Sequence, residues 1–146
     1  MGSLQKYIKA KLSELKDVTA TDFAALAWTD STEQTIRWKY ASGNRNDKYK
    51  RIVLRLGKGI AGKVLCSGRP IVLDSFTPQS GDDPREYPIL LAEDLKSAVG
   101  VPVIINGRVM GVLLVGCRNP RVFNTEIIDL MISTATQVGV IYNSQI

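Results

Sequence analysis

Histidine is absent from this 146-residue chain. That absence removes the Ser-His-Asp and Cys-His nucleophile systems, together with histidine-ligated zinc and haem. Cysteine is scarce as well. Cys66 and Cys117 form no CxxC motif, and two thiols alone make a poor structural zinc site. The expected state of both is the reduced, buried thiol of a cytoplasmic protein. Long hydrophobic runs are also lacking. Val99–Ile105 and Val109–Val115 are interrupted by Pro102 and Gly111, and both fall far short of the roughly twenty apolar residues a spanning helix needs. The net charge is +5, yet the basic residues are scattered, with Lys48, Lys50 and Arg51 the only dense group. Without a basic stripe or a helix-turn-helix or RNP-like signature, neither a nucleic acid nor a membrane is an expected partner.

What remains is the composition of an ordinary globular domain, 45% hydrophobic and 23% charged. The length suits a single domain spanning residues 1–146. Leu4, Ile8, Leu12 and Leu15 recur at helical spacing, so the first segment reads as a helix that exits over Asp17–Thr21. Phe23–Trp28 is an apolar run of strand length. Thr35–Tyr40 alternates, which predicts Ile36, Trp38 and Tyr40 on one face of a strand and Arg37 and Lys39 on the other. Tyr49–Leu56 reads as a further extended piece.

Gly57-Lys58-Gly59-Ile60-Ala61-Gly62 opens a short helix ending near Gly68, and Pro70–Leu73 follows as a strand. Residues 74–86 form the longest polar loop, a candidate lid. Ser97–Ile105 and Arg108–Cys117 read as strands joined by Asn106-Gly107, a pair that tolerates the positive φ of a tight hairpin. Asn124 or Thr125 caps a terminal helix running to about Asn143. Its apolar residues exceed one packing stripe, which leaves two readings: both sides are covered within the domain, or the terminal helices pair in a homodimer. Helix, two strands, short helix, strand, loop, hairpin and helix describe an α+β domain with an antiparallel sheet.

In this order the motifs resemble a GAF domain. The resemblance is carried by the Gly57–Gly62 turn, by Arg69-Pro70-Ile71, and by Ser97-Ala98-Val99-Gly100-Val101-Pro102-Val103 followed by Gly107 and Met110-Gly111-Val112-Leu113. Within that family, Trp38-Lys39-Tyr40-Ala41-Ser42-Gly43-Asn44, Tyr49–Leu54, Tyr87-Pro88-Ile89 and Ala92-Glu93-Asp94-Leu95 are similar to a nitrate-receptor subgroup that works beside an oxygen-sensing histidine kinase. The resemblance implies an antiparallel sheet with both terminal helices on one face, and a short helix and loops over a ligand pocket. It implies nitrate as the ligand, no cofactor, and a sensor histidine kinase as the partner.

The residues implied at the nitrate site are Trp38, Ile60, Ala61, Tyr87, Pro88 and Ile89. The N–H groups of Ile60, Ala61 and Ile89 would hold the ion, and Trp38 would wall it. A helix N-terminus suits this role because its first N–H groups lack intrahelical partners and carry partial positive charge. The rival enzymatic reading is a GAF-type free methionine sulfoxide reductase, whose turn carries a cysteine where this chain has Ala61. Bilin and haem attachment in the family usually involve histidine, and no NKFDE-like cyclic-nucleotide motif is present. A branched-chain amino acid ligand stays open, though regulators of that kind carry a DNA-binding domain for which 146 residues leave no room. The expectation is a non-enzymatic sensor that reports through another protein.

Overall fold

In the computed structural model, residues 2–30, 32, 34–75 and 84–144 are described. Helix α1 (Gly2–Thr19) leads into strands β1 (Phe23–Asp30), β2 (Thr35–Ser42) and β3 (Val53–Arg55). Helix α2 (Gly59–Ser67), strand β4 (Ile71–Leu73) and helix α3 (Pro88–Glu93) follow. The chain closes with the hairpin β5 (Ser97–Ile105) and β6 (Arg108–Cys117), then helix α4 (Thr125–Ser144). The strands form one six-stranded antiparallel sheet in the order β3-β2-β1-β6-β5-β4, with the α+β architecture expected.

The two-residue period of the strands sorts their side chains between two cores. Phe23, Ala25 and Ala27 of β1 join Ile36, Trp38, Val112 and Leu114 beneath α2 and α3. Ala24 and Leu26 join Val99, Val101, Leu113 and Val115 beneath α1 and α4. The terminal helices thus share one face of the sheet, and the two short helices cover the other. On the first face α1 contributes Ile8, Leu12 and Leu15, and α4 contributes Met131, Ala135 and Val138, all buried. The surplus apolar residues of α4 are left outside, with Ile132 and Val140 exposed.

Local chemistry explains several boundaries. Asn106 (φ 52°) and Gly107 (φ 78°) both take the left-handed conformation that the β5–β6 turn requires. The Asn124 side chain accepts a 2.9 Å hydrogen bond from the Ile127 N–H, so Asn124 caps α4.

Four expectations are corrected. Tyr40 does not share a face with Trp38, because Leu26 pairs with Tyr40 while Ala27 pairs with Trp38, leaving Lys39 as an extra residue in a bulge. The bulge turns Tyr40 to the α1/α4 side. Tyr49–Leu56 is not continuously extended: Lys48–Arg51 is a 3-10 turn, with β3 after it. The segment beginning at Pro88 is helical, so α3 adds an element to the expected order. Cys117 is buried as expected, whereas Cys66 is exposed on the outer side of α2. Of the candidate lid, residues 76–83 lie outside the described residues.

Candidate functional site

Trp38 reaches the α2/α3 face from β2, directly before the bulge. It is 1% exposed, and its indole Nε1 is buried with no hydrogen-bond partner among the described residues. An indole N–H is a donor only, and buried donors are rarely left unpaired.

The same core holds the first residues of α2. Lys58 is the N-cap, and it supplies no side-chain hydrogen bond to the helix. The first helical hydrogen bond runs from the Gly62 N–H to the Lys58 carbonyl at 3.0 Å. Consequently the N–H groups of Ile60 and Ala61 have no partner among the described residues, although both residues are 0% exposed. Both are thus closed off from bulk solvent. The preceding turn is held tight by the Gly57 N–H donating to the Gly62 carbonyl at 3.0 Å. A Cβ on Gly62 would stand 2.6 Å from the Arg55 carbonyl oxygen, so this position accepts no side chain without a shift.

Helix α3 repeats the arrangement on a smaller scale. Tyr87 is its N-cap and Pro88 its first residue, where a missing N–H costs nothing. The N–H groups of Leu90 and Leu91 both donate to the Tyr87 carbonyl, at 3.0 and 3.2 Å. Ile89, 1% exposed, is left with an N–H that has no partner among the described residues. The structure therefore gathers Trp38, Ile60, Ala61 and Ile89 in one buried core, with Tyr87 packed against it. Pro88 instead lines an open cleft of about 370 Å³, together with Leu54, Gly57, Lys58, Gly59, Lys63, Arg85 and Glu86. Gly59 and Pro88 immediately precede Ile60 and Ile89, so the cleft leads to both helix starts.

Two sets of residues lie outside the sequence expectation. Lys63, one turn into α2, donates from Nζ to the Tyr87 hydroxyl at 2.9 Å and stands 4.6 Å from the centroid of its ring. Glu93, the last residue of α3, is 0% exposed. Its Oε1 accepts from the Arg45 N–H at 2.8 Å and from Arg118 Nη2 at 2.9 Å, while Oε2 has no partner among the described residues. Arg118 also donates from Nε to the Glu93 carbonyl and from Nη2 to the Gly43 carbonyl, both at 3.1 Å. Its backbone N–H reaches Asp22 at 2.8 Å. A six-residue helix has little stability of its own, and this pair is what anchors its far end. Only its place in Ala92-Glu93-Asp94-Leu95 singled Glu93 out in the sequence, and its partner is 25 residues away.

Burial also acts on Tyr49, which packs in the same core. Desolvation pushes its phenol above the ordinary value, and the nearby carboxylates of Asp47 and Glu93 add to the effect. What the site offers chemically is a set of neutral N–H donors without acceptors among the described residues, which suits a small anion.

Comparison with known proteins identifies the family. A family profile described as GAF domain matches residues 3–142. The chain belongs to the GAF domain family. Two solved structures described as mutated NreA protein in nitrate binding site, from Staphylococcus aureus, resemble this GAF domain. One is 35% identical with a TM-score of 0.72, covering 82% of this chain and 92% of its own. The other is 33% identical with a TM-score of 0.75, covering 86% of this chain and 98% of its own. Among curated proteins, the HTH-type transcriptional activator RamA of Corynebacterium glutamicum is 27% identical over 130 residues. That match covers 88% of this GAF domain, which spans 45% of the length of RamA. No helix among the described residues is long and apolar enough to cross a membrane.

Proposed function

We propose that this GAF domain is a cytosolic nitrate receptor that signals by changing its association with a sensor histidine kinase, and that it turns over no substrate. The observation that carries the reading is the buried donor set that has no partner among the described residues: the N–H groups of Ile60, Ala61 and Ile89, and the indole Nε1 of Trp38. An unpaired buried donor costs about 1–3 kcal/mol, so a set of them is retained where a ligand satisfies them. Nitrate is planar, carries one delocalised charge and is weakly hydrated. It therefore loses less on leaving water than a strongly hydrated anion does, and gains hydrogen bonds from donors already fixed in place. The positive end of α2 adds to the attraction. The likeness to NreA structures described by a nitrate binding site supports the choice of ion.

The signalling step follows from linkage. Nitrate alters kinase association only to the extent that it binds the free and kinase-bound forms with different affinity. Helix α3 is suited to transmit that difference, since its start presents Ile89 and its end is tied through Glu93 and Arg118 to the loops at Gly43 and Asp22.

The test is calorimetric titration of anion-free protein with sodium nitrate, with sodium chloride as the control. Saturable one-site binding of nitrate and not of chloride is expected, and no heat at millimolar nitrate would defeat the reading. Capture of the cognate kinase with and without nitrate then tests the partner. Equal capture in both conditions would remove the switch.

A further inference from the structure

The donors assigned to the anion are all neutral, which leaves the ion's full charge without an opposite charge in a buried site. Burying an uncompensated charge is expensive. Three cationic side chains line the cleft that leads to the two helix starts, those of Lys58, Lys63 and Arg85. Lys58 and Arg85 are exposed, where water and salt screen them. Lys63 is half-buried, and Tyr87 fixes its ammonium through both the 2.9 Å hydrogen bond and the ring 4.6 Å away.

The placement of this contact matters. Lys63 lies four residues beyond Gly59 and so on the same side of α2, and helical side chains lean toward the N-terminus. Tyr87 is the N-cap of α3. The Lys63–Tyr87 contact therefore joins the helix that carries Ile60 and Ala61 to the helix that carries Ile89. An ammonium has three donors, and one bond to a phenol leaves capacity for an anion.

We propose that Lys63 is the counter-charge of the anion site, and that its bond to Tyr87 sets the spacing of the two helix starts that hold the ion. This inference rests on the nitrate-receptor reading. It adds a specificity-determining residue outside the expected set, and it limits the site to ligands carrying negative charge.

The experiment titrates sodium nitrate into the full chain and into Lys63→Arg, Lys63→Gln and Tyr87→Phe variants, with a thermal melt of each. Glutamine keeps a donor for the Tyr87 hydroxyl and removes the charge; arginine keeps the charge. Lys63→Arg is expected to bind within about threefold of the parent, and Lys63→Gln about tenfold or more weaker at an unchanged melting temperature. Tyr87→Phe falls between them, and combining it with Lys63→Gln weakens binding no further than Lys63→Gln alone, as coupled residues require. If Lys63→Gln melts early, Lys63→Met replaces it as the charge-removing variant, and the same comparison with Lys63→Arg decides. Parent-like binding by Lys63→Gln, or equal loss in the arginine and glutamine variants, overturns the counter-charge while the nitrate reading stands. Failure of the parent chain to bind nitrate overturns both.

Discussion

The two faces of the sheet are built from the same strands and differ in what they leave unsatisfied. Under α1 and α4, the buried residues are aliphatic side chains with Phe123 and Cys117, and their long helices fix them at both ends of the chain. Under α2 and α3, the core holds a tryptophan N–H, the first-turn N–H groups of two short helices and one oxygen of a buried glutamate, all without a partner among the described residues. The first face is a stability core. The second carries unpaired polar groups that a simple core would exclude, and such groups cluster where ligands bind. One strand serves both, since neighbouring residues point opposite ways.

The comparison breaks most visibly in stability. Leu113 is fully buried on the α1/α4 face, and Leu113→Ala is expected to cost about 2–5 kcal/mol in urea unfolding while leaving the nitrate affinity of the folded protein within error. Arg118→Met acts on the other face. It strands the Glu93 carboxylate, and losing one partner of a buried pair costs about 3–5 kcal/mol. Unlike Leu113→Ala, it is expected to weaken nitrate binding too, because it loosens the helix that presents Ile89. Equal affinity losses in the two variants would erase the distinction between the faces.

Trp38→Phe sharpens the contrast in the opposite sense. It removes an N–H that has no partner among the described residues, so stability falls less than in Leu113→Ala. A hydrogen bond to a charged partner is worth about 1.5–3 kcal/mol, so nitrate affinity should fall about tenfold to a hundredfold. The smallest effect is in alkali. Burial, with a hydrogen bond that the Tyr142 hydroxyl donates to Tyr40, raises the Tyr142 phenol on the α4 side, and burial raises Tyr49 on the α3 side. A phenol held protonated by the fold contributes stability that is complete below its unfolded value near 10 and is lost as pH climbs through the raised folded value. Ultraviolet titration is therefore expected to show delayed ionisation of both tyrosines, and unfolding midpoints should decline above about pH 10.

Much of the fold was legible because its signals are local. Asn106-Gly107 specifies a hairpin, Asn124 caps α4, and the Leu4–Leu15 spacing faces α1 to the sheet. The residues that local rules misplaced are those fixed by distant partners. Tyr40 turns away from Trp38 because of pairing with β1, which no alternation within β2 encodes. Helix α3 is six residues long, too short for a periodic pattern to appear. The Glu93–Arg118 pair spans α3 and the end of β6, and Lys63 meets Tyr87 across 24 residues. The expected site residues came from a family resemblance, and the structure gathers Trp38, Ile60, Ala61 and Ile89 in one core. The glycine turn alone would have read as a connection.

In the proposed site, backbone amides at two short helix starts, with one indole, hold the anion. The direct measurement is a ¹⁵N-resolved NMR titration of the protein with sodium nitrate, following the amides of Ile60, Ala61 and Ile89 and the Trp38 side-chain N–H. These four resonances are expected to shift together along one saturation curve, ahead of the cleft residues Lys58 and Glu86. Shifts confined to the cleft, or four resonances unmoved at saturating nitrate, would contradict this site.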